Sequence, residues 1–280
     1  MARREPDFTH LDRVYWPELG LRKRDLVEYY RTVAPVLLPH LKGRPFTLKR
    51  HYTVPRGPFE WVKDKPPELP DWVKTCPLPA KSRGGALVHY VLVDDLPTLL
   101  WMVELGAVDL HVWPSRCDRP DRPDYVLFDL DPTDGGTFAH VVDAAHRVRE
   151  ALDTMRLESL VRTSGADGLH VLVPIARRHT HEEARRFARI VAGALRLDRA
   201  KVDTKMIGHG QQVVAGYSVR PLPGAPVATP LRWDEVTDDL DPRDHTLLTV
   251  PQRVARLGDL HQPLLHGRQR LDAALASIAP

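Results

Sequence analysis

The stretch YVLFDLDPTDGG, residues 125–136, places Asp129 and Asp131 at the end of an apolar run and directly before a turn-forming segment. The apolar run predicts a buried strand, and Pro, Asp and Gly after it are typical of a turn. Because alternate strand residues face the same way, we expect both carboxylates on one face and Leu130 on the other. Two carboxylates this close repel each other, and burial makes each charge more costly. A bound cation, a covalent reaction or water at a strand end are three ways to offset that cost.

The composition indicates a globular protein. Its 280 residues are 42% hydrophobic and 28% charged, which is ordinary for a folded domain and allows one large domain or two intimate ones. No run approaches the ~18 consecutive apolar residues of a membrane span, and MARREPDFTH lacks the apolar core of a signal peptide. With only Cys76 and Cys117, a disulfide framework and a cysteine-based zinc site are excluded, and a reducing cytoplasm is expected.

The net charge of +3 and the pI near 8.9 are too mild to argue for nucleic acid by themselves. Residues 3–56, however, contain many more bases than acids, with aromatic residues interleaved. This composition suits a surface that follows phosphates and stacks on bases. A solvated basic face is the better explanation when no other observation is considered.

The order of the elements favours an α+β fold, because strands and helices mix with hairpin-like pairs. Residues 23–41 read as an amphipathic helix broken by its prolines, and residues 95–107 as a helix with an apolar stripe. Residues 180–197 open with the capping-box pattern of Thr and Glu three residues apart. Residues 211–221 read as a strand.

A second candidate segment is TSGADGLHVLVP, in which Gly165 and Gly168 bracket a turn. The backbone N–H groups of such a turn can hold a phosphate, with Ser164 and His170 converging on it. His170 alternates with apolar neighbours and so points away from the face that they bury. A lone histidine in this setting is more often structural, but a Ser-Gly-x-x-Gly-x-His turn close after an acidic strand is less easily explained in that way.

Further candidates lie in YSVRP and LHVWPSR. The first predicts Ser218 and Arg220 on one strand face, with Arg220 available to bind a triphosphate through two N–H groups. A surface ion pair explains Arg220 equally well. In the second, His111 faces away from its apolar neighbours.

Two specific hypotheses compete with a plain acidic turn for Asp129 and Asp131. The first is a two-metal site for Mg²⁺ or Mn²⁺, which prefer carboxylate oxygens. The second is an aspartyl-phosphate nucleophile, since LFDLDPT resembles the first motif of haloacid-dehalogenase-type phosphatases. That motif normally lies near the start of its domain, whereas more than 120 residues precede it here. Asp238 and Asp239, which would supply the later acidic pair, follow no apolar strand, so the phosphatase is the less favoured hypothesis.

Taken in order, LHVWPSR, YVLFDLDP, TSGADGLHVLVP and GYSVRPLPGAPVATPLRWDEV, with the early LDRVYWPELGLRKRDLVEYYRTVAPVLLPHLKGRPFTLKR, resemble the polymerase domain of bacterial DNA ligase D. This family belongs to the archaeo-eukaryotic primase superfamily, which also includes stand-alone primase-polymerases. The resemblance runs from about Leu11 to Leu260. It implies one α+β primase-polymerase domain over residues 1–280, with mixed or antiparallel sheets flanked by helices. A DNA-binding part over about 1–90 is expected to pack on a catalytic core over about 91–260.

The resemblance implies three catalytic aspartates that bind two divalent ions, Mn²⁺ or Mg²⁺. Asp129 and Asp131 match the first two, and Asp203, which precedes Tyr217 by fourteen residues, matches the third. The segment DRAK before this strand is shorter than is usual in the family. The strand pattern around Asp203 is correspondingly thin, with Val202 almost its only apolar residue.

The remaining predicted site residues concern phosphates. The nucleotide-binding set is His111, Ser164, His170, Ser218 and Arg220. Arg13 and Lys23 match a pocket for the 5′-phosphate of a downstream DNA strand, and Lys63 matches a basic position beside the active site.

The predicted function is therefore template-directed nucleotidyl transfer that fills gaps and extends ends in DNA break repair by non-homologous end joining. The expected partners are gapped or broken DNA with a 5′-phosphate, nucleoside triphosphates, Ku and a DNA ligase, in the cytoplasm at the nucleoid. A DNA-end-binding module of the same fold that has lost metal binding is the alternative, since the shortened segment before Asp203 permits that loss.

Overall fold

The computed structural model describes residues 6–80 and 83–277. Its helices are α1 (Lys23–Leu41), α2 (Leu96–Glu104), α3 (Phe138–Thr154), α4 (His181–Ala194), α5 (Val250–Leu257) and α6 (Asp272–Ser277). Its strands are β1 (Val14–Trp16), β2 (Leu21–Arg22), β3 (Pro45–His51), β4 (Phe59–Val62), β5 (Thr75–Pro79), β6 (Leu87–Leu92), β7 (Ala107–Val112), β8 (Ser115–Arg116), β9 (Arg119–Pro123), β10 (Tyr125–Pro132), β11 (Leu160–Thr163), β12 (Leu169–Pro174), β13 (Ala200–Asp203), β14 (Val213–Val214) and β15 (Pro230–Leu231). The predicted α+β class with antiparallel sheets flanked by helices is confirmed.

The first large sheet has five strands in the order β13-β10-β12-β11-β15, and every neighbouring pair is antiparallel. Helices α3 and α4 pack on it. The stretch YVLFDLDP forms β10, in which Phe128 and Leu130 are fully buried. Asp129 and Asp131 point to the opposite face, as the alternation predicts.

The second large sheet has six strands in the order β14-β7-β3-β6-β5, with β4 paired to β3. Helices α1 and α2 lie in the same core as this sheet. Two of its strands, β7 and β14, come from beyond residue 90, so the predicted boundary near that residue passes through a sheet. Each large sheet thus has its own hydrophobic core: that of the six-stranded sheet draws on early and late parts of the chain, and that of the five-stranded sheet begins at Tyr125.

Two predicted elements differ from the structure. Helix α1 runs unbroken through Pro35 and Pro39, because its long apolar face, including Tyr30, Val33 and Leu37, is completely buried. Burial of such side chains at about 1.5–3 kcal/mol each offsets the roughly 3 kcal/mol cost of an internal proline.

The predicted strand over residues 211–221 is also wrong beyond its first part. Only Val213–Val214 forms a strand, and Tyr217 then takes a left-handed conformation with φ of +64°. The Tyr217 hydroxyl donates to Asp259 Oδ1 at 2.8 Å, which holds the turn in place. Ser218 and Arg220 lie outside the strands, so the alternation that predicted them on one strand face does not apply.

The two cysteines form a single disulfide. Cys76 on β5 and Cys117 beyond β8 are joined by a disulfide with Cα atoms 6.1 Å apart. Two cysteines are too few for a disulfide framework, but they are enough for this single bridge.

Among the described helices, none combines the length and the apolar character needed to cross a bilayer.

Candidate active site

The centre of the site is a row of four polar residues across the five-stranded sheet, here called the polar row. Arg162 lies opposite His170, His170 opposite Asp129, and Asp129 opposite Asp203. Residues directly opposite in antiparallel strands share a face, with Cβ atoms about 4.5–5.5 Å apart. The register of β11, β12, β10 and β13 therefore brings together residues that are up to 74 positions apart in the chain.

Asp131 lies one pleat beyond the polar row, opposite Lys201, whose Nζ is 3.7 Å from Asp131 Oδ2. On the other side of β10, Gly168 leaves room for the carboxylate. A Cβ at Gly168 would lie 2.8 Å from Asp131 Oδ1 and 2.4 Å from the Leu130 carbonyl oxygen. The glycine at this position is thus explained by the close approach of β10.

The two carboxylates of β10 have different electrostatic environments. Burial and then the charge of Asp129 raise the pKa of Asp131 above its ordinary value. Burial also acts to raise the pKa of Asp129, but the hydrogen bond from His170 and the charges of Arg162 and Arg220 hold it below its usual range. Like charges at close range therefore remain incompletely compensated at Asp131.

Asp203 lies on a regular strand, β13, although the sequence pattern there is thin. Its Oδ1 accepts a hydrogen bond from the backbone N–H of Lys205 at 2.6 Å. Across residues 6–80 and 83–277, no three His, Cys, Asp or Glu side chains converge closely enough to coordinate one metal ion. Asp129, Asp131 and Asp203 nevertheless share one sheet face and supply the carboxylate oxygens that Mg²⁺ and Mn²⁺ prefer.

The glycine turn after β11 is built by Ser164. Its Oγ accepts from the N–H groups of Ala166 and Gly168, each at 3.2 Å, and its carbonyl oxygen accepts from the Arg220 guanidinium at 2.9 Å. Gly165 has φ of +73°, and a Cβ there would lie 2.6 Å from Arg220 Cγ. The turn therefore packs directly against Arg220.

The six-stranded sheet carries a second set of polar residues around Asp109, here called the Asp109 cluster. Asp109 is fully buried; its Oδ1 is 2.8 Å from His51 Nε2, and its Oδ2 is 2.9 Å from His111 Nε2 and 3.2 Å from Lys49 Nζ. The Arg220 Nε lies 3.8 Å from Oδ2. Burial opposes ionisation of Asp109, but these partners outweigh it and hold the pKa well below its usual range. Burial lowers the pKa of His111.

Two exposed aromatic rings border the Asp109 cluster. Phe59 and Trp61 of β4 are 49% and 44% exposed, and the Lys49 Nζ lies 4.4 Å and 5.7 Å from their ring centres. Trp61 also packs edge-on against His111, with ring centres 5.0 Å apart. Exposed rings beside cations form a surface on which nucleic-acid bases can stack.

The predicted nucleotide-binding residues are therefore not equivalent. Ser164, His170 and Arg220 lie around the polar row and its turn, and His111 lies in the Asp109 cluster. Ser218 is fully buried, and its hydroxyl accepts from the Leu110 N–H at 2.8 Å and donates to the Val219 carbonyl at 3.1 Å. In this structure its hydroxyl supports the backbone.

The predicted 5′-phosphate residues are adjacent but differ in access. The Lys23 N–H donates to the Arg13 carbonyl at 2.9 Å. The Lys23 ammonium is buried, donating to Glu104 Oε2 at 2.6 Å and the Thr9 carbonyl at 3.1 Å. Arg13 is exposed and donates to the Tyr52 carbonyl. Arg13 is thus the accessible cation of the pair, and Lys63 lines a separate pocket of about 240 Å³.

Sequence reasoning missed Lys49, His51 and Asp109. The signal for Asp109 was present, because it alternates with His111 in VDLHV. No local pattern links these residues to Lys49 and His51, which the pairing of β3 with β7 brings beside them.

Comparison with known proteins decides the family. A family profile described as LigD, primase-polymerase domain, matches residues 22–207 and 194–261. The chain belongs to this family. It is 30% identical to the multifunctional non-homologous end joining protein LigD of Mycolicibacterium smegmatis, over 91% of this chain and 35% of that protein. It is 29% identical to the bifunctional non-homologous end joining protein LigD of Bacillus subtilis, over 90% of this chain and 43% of that protein.

The fold agrees with a solved structure of the family. The polymerase domain of Mycobacterium tuberculosis ligase D, solved in complex with DNA, superimposes with a TM-score of 0.86 at 27% identity. The match covers 95% of this chain and 100% of that one. The chain spans 35–43% of the length of the two curated LigD relatives above. The recognised family and its primase-polymerase fold are therefore confirmed.

Proposed function

We propose that this LigD primase-polymerase domain is a template-directed nucleotidyltransferase that fills gaps and extends ends at DNA breaks. The observation that carries the proposal is the register that sets Asp203 opposite Asp129, one pleat from Asp131. The names of its relatives, which are non-homologous end joining proteins, and the DNA in the related solved structure support the proposed pathway and substrate.

Asp129, Asp131 and Asp203 are the residues that would hold two divalent ions, Mn²⁺ or Mg²⁺. When bound, such ions stabilise negative charge on phosphate oxygens and lower the pKa of an attacking hydroxyl. The protein itself supplies a sheet face with three carboxylates, and Lys201 lies beside Asp131. The raised pKa of Asp131 fits this role, because a cation relieves the repulsion that raises it.

The nucleoside triphosphate, ribo- or deoxyribo-, is proposed to lie between the polar row and the Asp109 cluster. Arg220 contacts both sides, through the Ser164 carbonyl and toward Asp109. Lys49 and Arg220 supply cationic donors for phosphate oxygens, while Phe59 and Trp61 offer their rings to bases. The exposed Arg13 is proposed to contact the 5′-phosphate on the far side of a gap.

The direct test is extension of a labelled primer across a one-nucleotide gap with a 5′-phosphate, with Mn²⁺ or Mg²⁺ and each nucleoside triphosphate. We expect template-dependent addition by the wild type, loss with Asp203→Asn, and no change with Asp153→Asn, an exposed aspartate on α3. Tight, 5′-phosphate-dependent binding without any addition would replace the polymerase with the DNA-end-binding module. Release of phosphate from small esters would favour the phosphatase. Ku and a DNA ligase, proposed as partners, are tested by adding each to the same reaction.

A further inference from the structure

Arg162 is an unusual member of the polar row because it is a buried cation without an anionic contact. Only 4% of its surface is exposed. None of the ion pairs found within residues 6–80 and 83–277 includes it. Burial lowers the pKa of Arg162 to about 10, which still leaves the guanidinium protonated at neutral pH. A buried charge of this kind is costly unless its N–H groups are used.

The guanidinium uses its N–H groups on two elements. Its Nε–H donates to His170 Nδ1 at 3.0 Å, and an Nη2–H donates to the Val214 carbonyl at 2.7 Å. Arginine has no acceptor, so His170 Nδ1 must be the unprotonated nitrogen of the ring. The ring hydrogen then lies on Nε2, which is 3.1 Å from Asp129 Oδ1. Both nitrogens of His170 are therefore engaged within the polar row.

We infer that Arg162 is a positioning residue that selects the Nε2–H tautomer of His170, and that His170 in turn orients the Asp129 carboxylate. The inference rests on the proposed function for its catalytic consequence, but the tautomer itself does not. With Nδ1 accepting from Arg162, the one hydrogen of the neutral ring is directed from Nε2 toward Asp129.

Arg162 also connects the two sheets. The Val214 carbonyl that it holds belongs to β14, which pairs with β7 at His111. The same side chain therefore contacts the carboxylate side of the site and β14, the strand beside the one that carries Asp109 and His111. Loss of its donors should release His170 first, because no other donor to His170 Nδ1 was found among the described residues.

The test begins with the metal-free wild-type protein labelled with ¹⁵N-histidine. Long-range ¹H–¹⁵N spectra report which ring nitrogen carries the hydrogen, and His170→Gln assigns the signal. We expect His170 as a single Nε2–H tautomer. An Nδ1–H tautomer or a mixture of both forms in the wild type would overturn the inference, whether or not any variant folds and whether or not the protein has polymerase activity.

The variants then distinguish a positioning role of Arg162 from a general contribution to the stability of the fold. Arg162→Met removes the donors at similar volume and should give mixed His170 tautomers, together with a kcat for nucleotide addition about 10- to 100-fold lower and a KM for the nucleotide changed less than about threefold. Arg44→Met is the matched control, because Arg44 is an equally buried arginine that pairs with Asp124. It should leave the tautomer unchanged. A tautomer unaffected by Arg162→Met, or a rise in KM with kcat unchanged, would contradict the role. Failure of the wild type to add nucleotides would overturn the proposed function and leave the tautomer result standing.

Discussion

Asp109 and Asp131 both occupy strand positions beside the candidate site, yet their carboxylates have opposite environments. Asp109 is fully buried and contacted by two histidines and a lysine, so its pKa is far below the ordinary value. Asp131 is half-exposed and has one distant lysine and a like-charged neighbour, so its pKa is raised. The carboxylate with complete partners is suited to a scaffold, and the one with incomplete partners is suited to bind a cation.

The same difference extends to the two sets of residues. The Asp109 cluster combines one carboxylate with the cations Lys49 and Arg220. The polar row with Asp131 combines three carboxylates with Arg162 and the exposed Lys201. The proposed function assigns phosphates to the first side and divalent cations to the second, in keeping with these charges.

The largest expected effect is on activity at the polar row. Asp129→Asn keeps the shape of the side chain but removes a charge that the proposed ions need. We expect nucleotide addition to fall by roughly 1,000-fold or more, while the unfolding midpoint in urea changes little. Single-turnover gap filling by a variant with a wild-type unfolding curve measures this. Addition at more than a tenth of the wild-type rate would remove Asp129 from the mechanism.

The next largest effect is on stability at the Asp109 cluster. Asp109→Asn leaves buried cationic and imidazole groups without their anion and should lower the free energy of unfolding by about 3–5 kcal/mol at pH 7. Asp131→Asn, the matched variant, should leave it unchanged or slightly higher in the presence of a chelator, since the ionised form of Asp131 is disfavoured. Urea unfolding of both variants compares the contributions of the two carboxylates to the free energy of unfolding. Equal losses would contradict the comparison.

The two carboxylates should also respond to pH in opposite ways. The folded-state pKa of Asp109 is depressed, so its stabilisation is complete above an unfolded-state value of about 3.9 and is lost as the pH falls below it. The gap in stability between wild type and Asp109→Asn should therefore shrink in acid. The folded-state pKa of Asp131 is raised, so any gain from Asp131→Asn should appear as the pH rises above about 4. Unfolding measured from pH 3 to pH 7 tests both signs.

A moderate effect is expected on nucleotide affinity. Lys49→Met removes a cation from the side proposed to face the triphosphate and should raise the KM for nucleotide about 10-fold, with a smaller change in kcat. Lys74→Met is the control, because Lys74 is 75% exposed and pairs loosely with Asp94. A change confined to kcat would indicate that Lys49 acts in the chemical step and not in nucleotide binding.

The smallest effect concerns Lys201, which competes with a cation for Asp131. Its Nζ is 3.7 Å from Asp131 Oδ2 and its side chain is 58% exposed, so solvent screens the pair. Lys201→Met should lower the Mn²⁺ concentration for half-maximal activity by roughly two- to fivefold. Lys205→Met retains the backbone N–H that contacts Asp203 and should change this Mn²⁺ concentration less. A higher Mn²⁺ concentration for half-maximal activity in Lys201→Met would show that Lys201 favours metal binding and does not compete with it.

Local sequence patterns predicted much of the polar row but little of the Asp109 cluster. Alternation placed Asp129 and Asp131 on one face, and the resemblance supplied Asp203, which the register of β13 sets opposite Asp129. The pairing of β3 with β7 and the turn at Tyr217 depend on contacts between distant segments, so they left no local signal.

The burial of Lys23 against Glu104, 81 residues away, likewise depends on tertiary packing. No pattern around Lys23 distinguishes it from the exposed Arg13, and only the position of α2 does so. Helix α1 is the opposite case, in which tertiary packing prevents a feature that the local sequence predicts. Its prolines predict a break, and the apolar face packed against the core prevents one.

The most direct test of the central claim is a titration of Mn²⁺ by electron paramagnetic resonance, without DNA or nucleotide, on the wild type and on Asp129→Asn, Asp131→Asn and Asp203→Asn. The account predicts Mn²⁺ bound by the wild type, binding abolished or strongly weakened in the first two variants, and weaker binding in the third. No binding by the wild type, or equal binding by all four proteins, would contradict it.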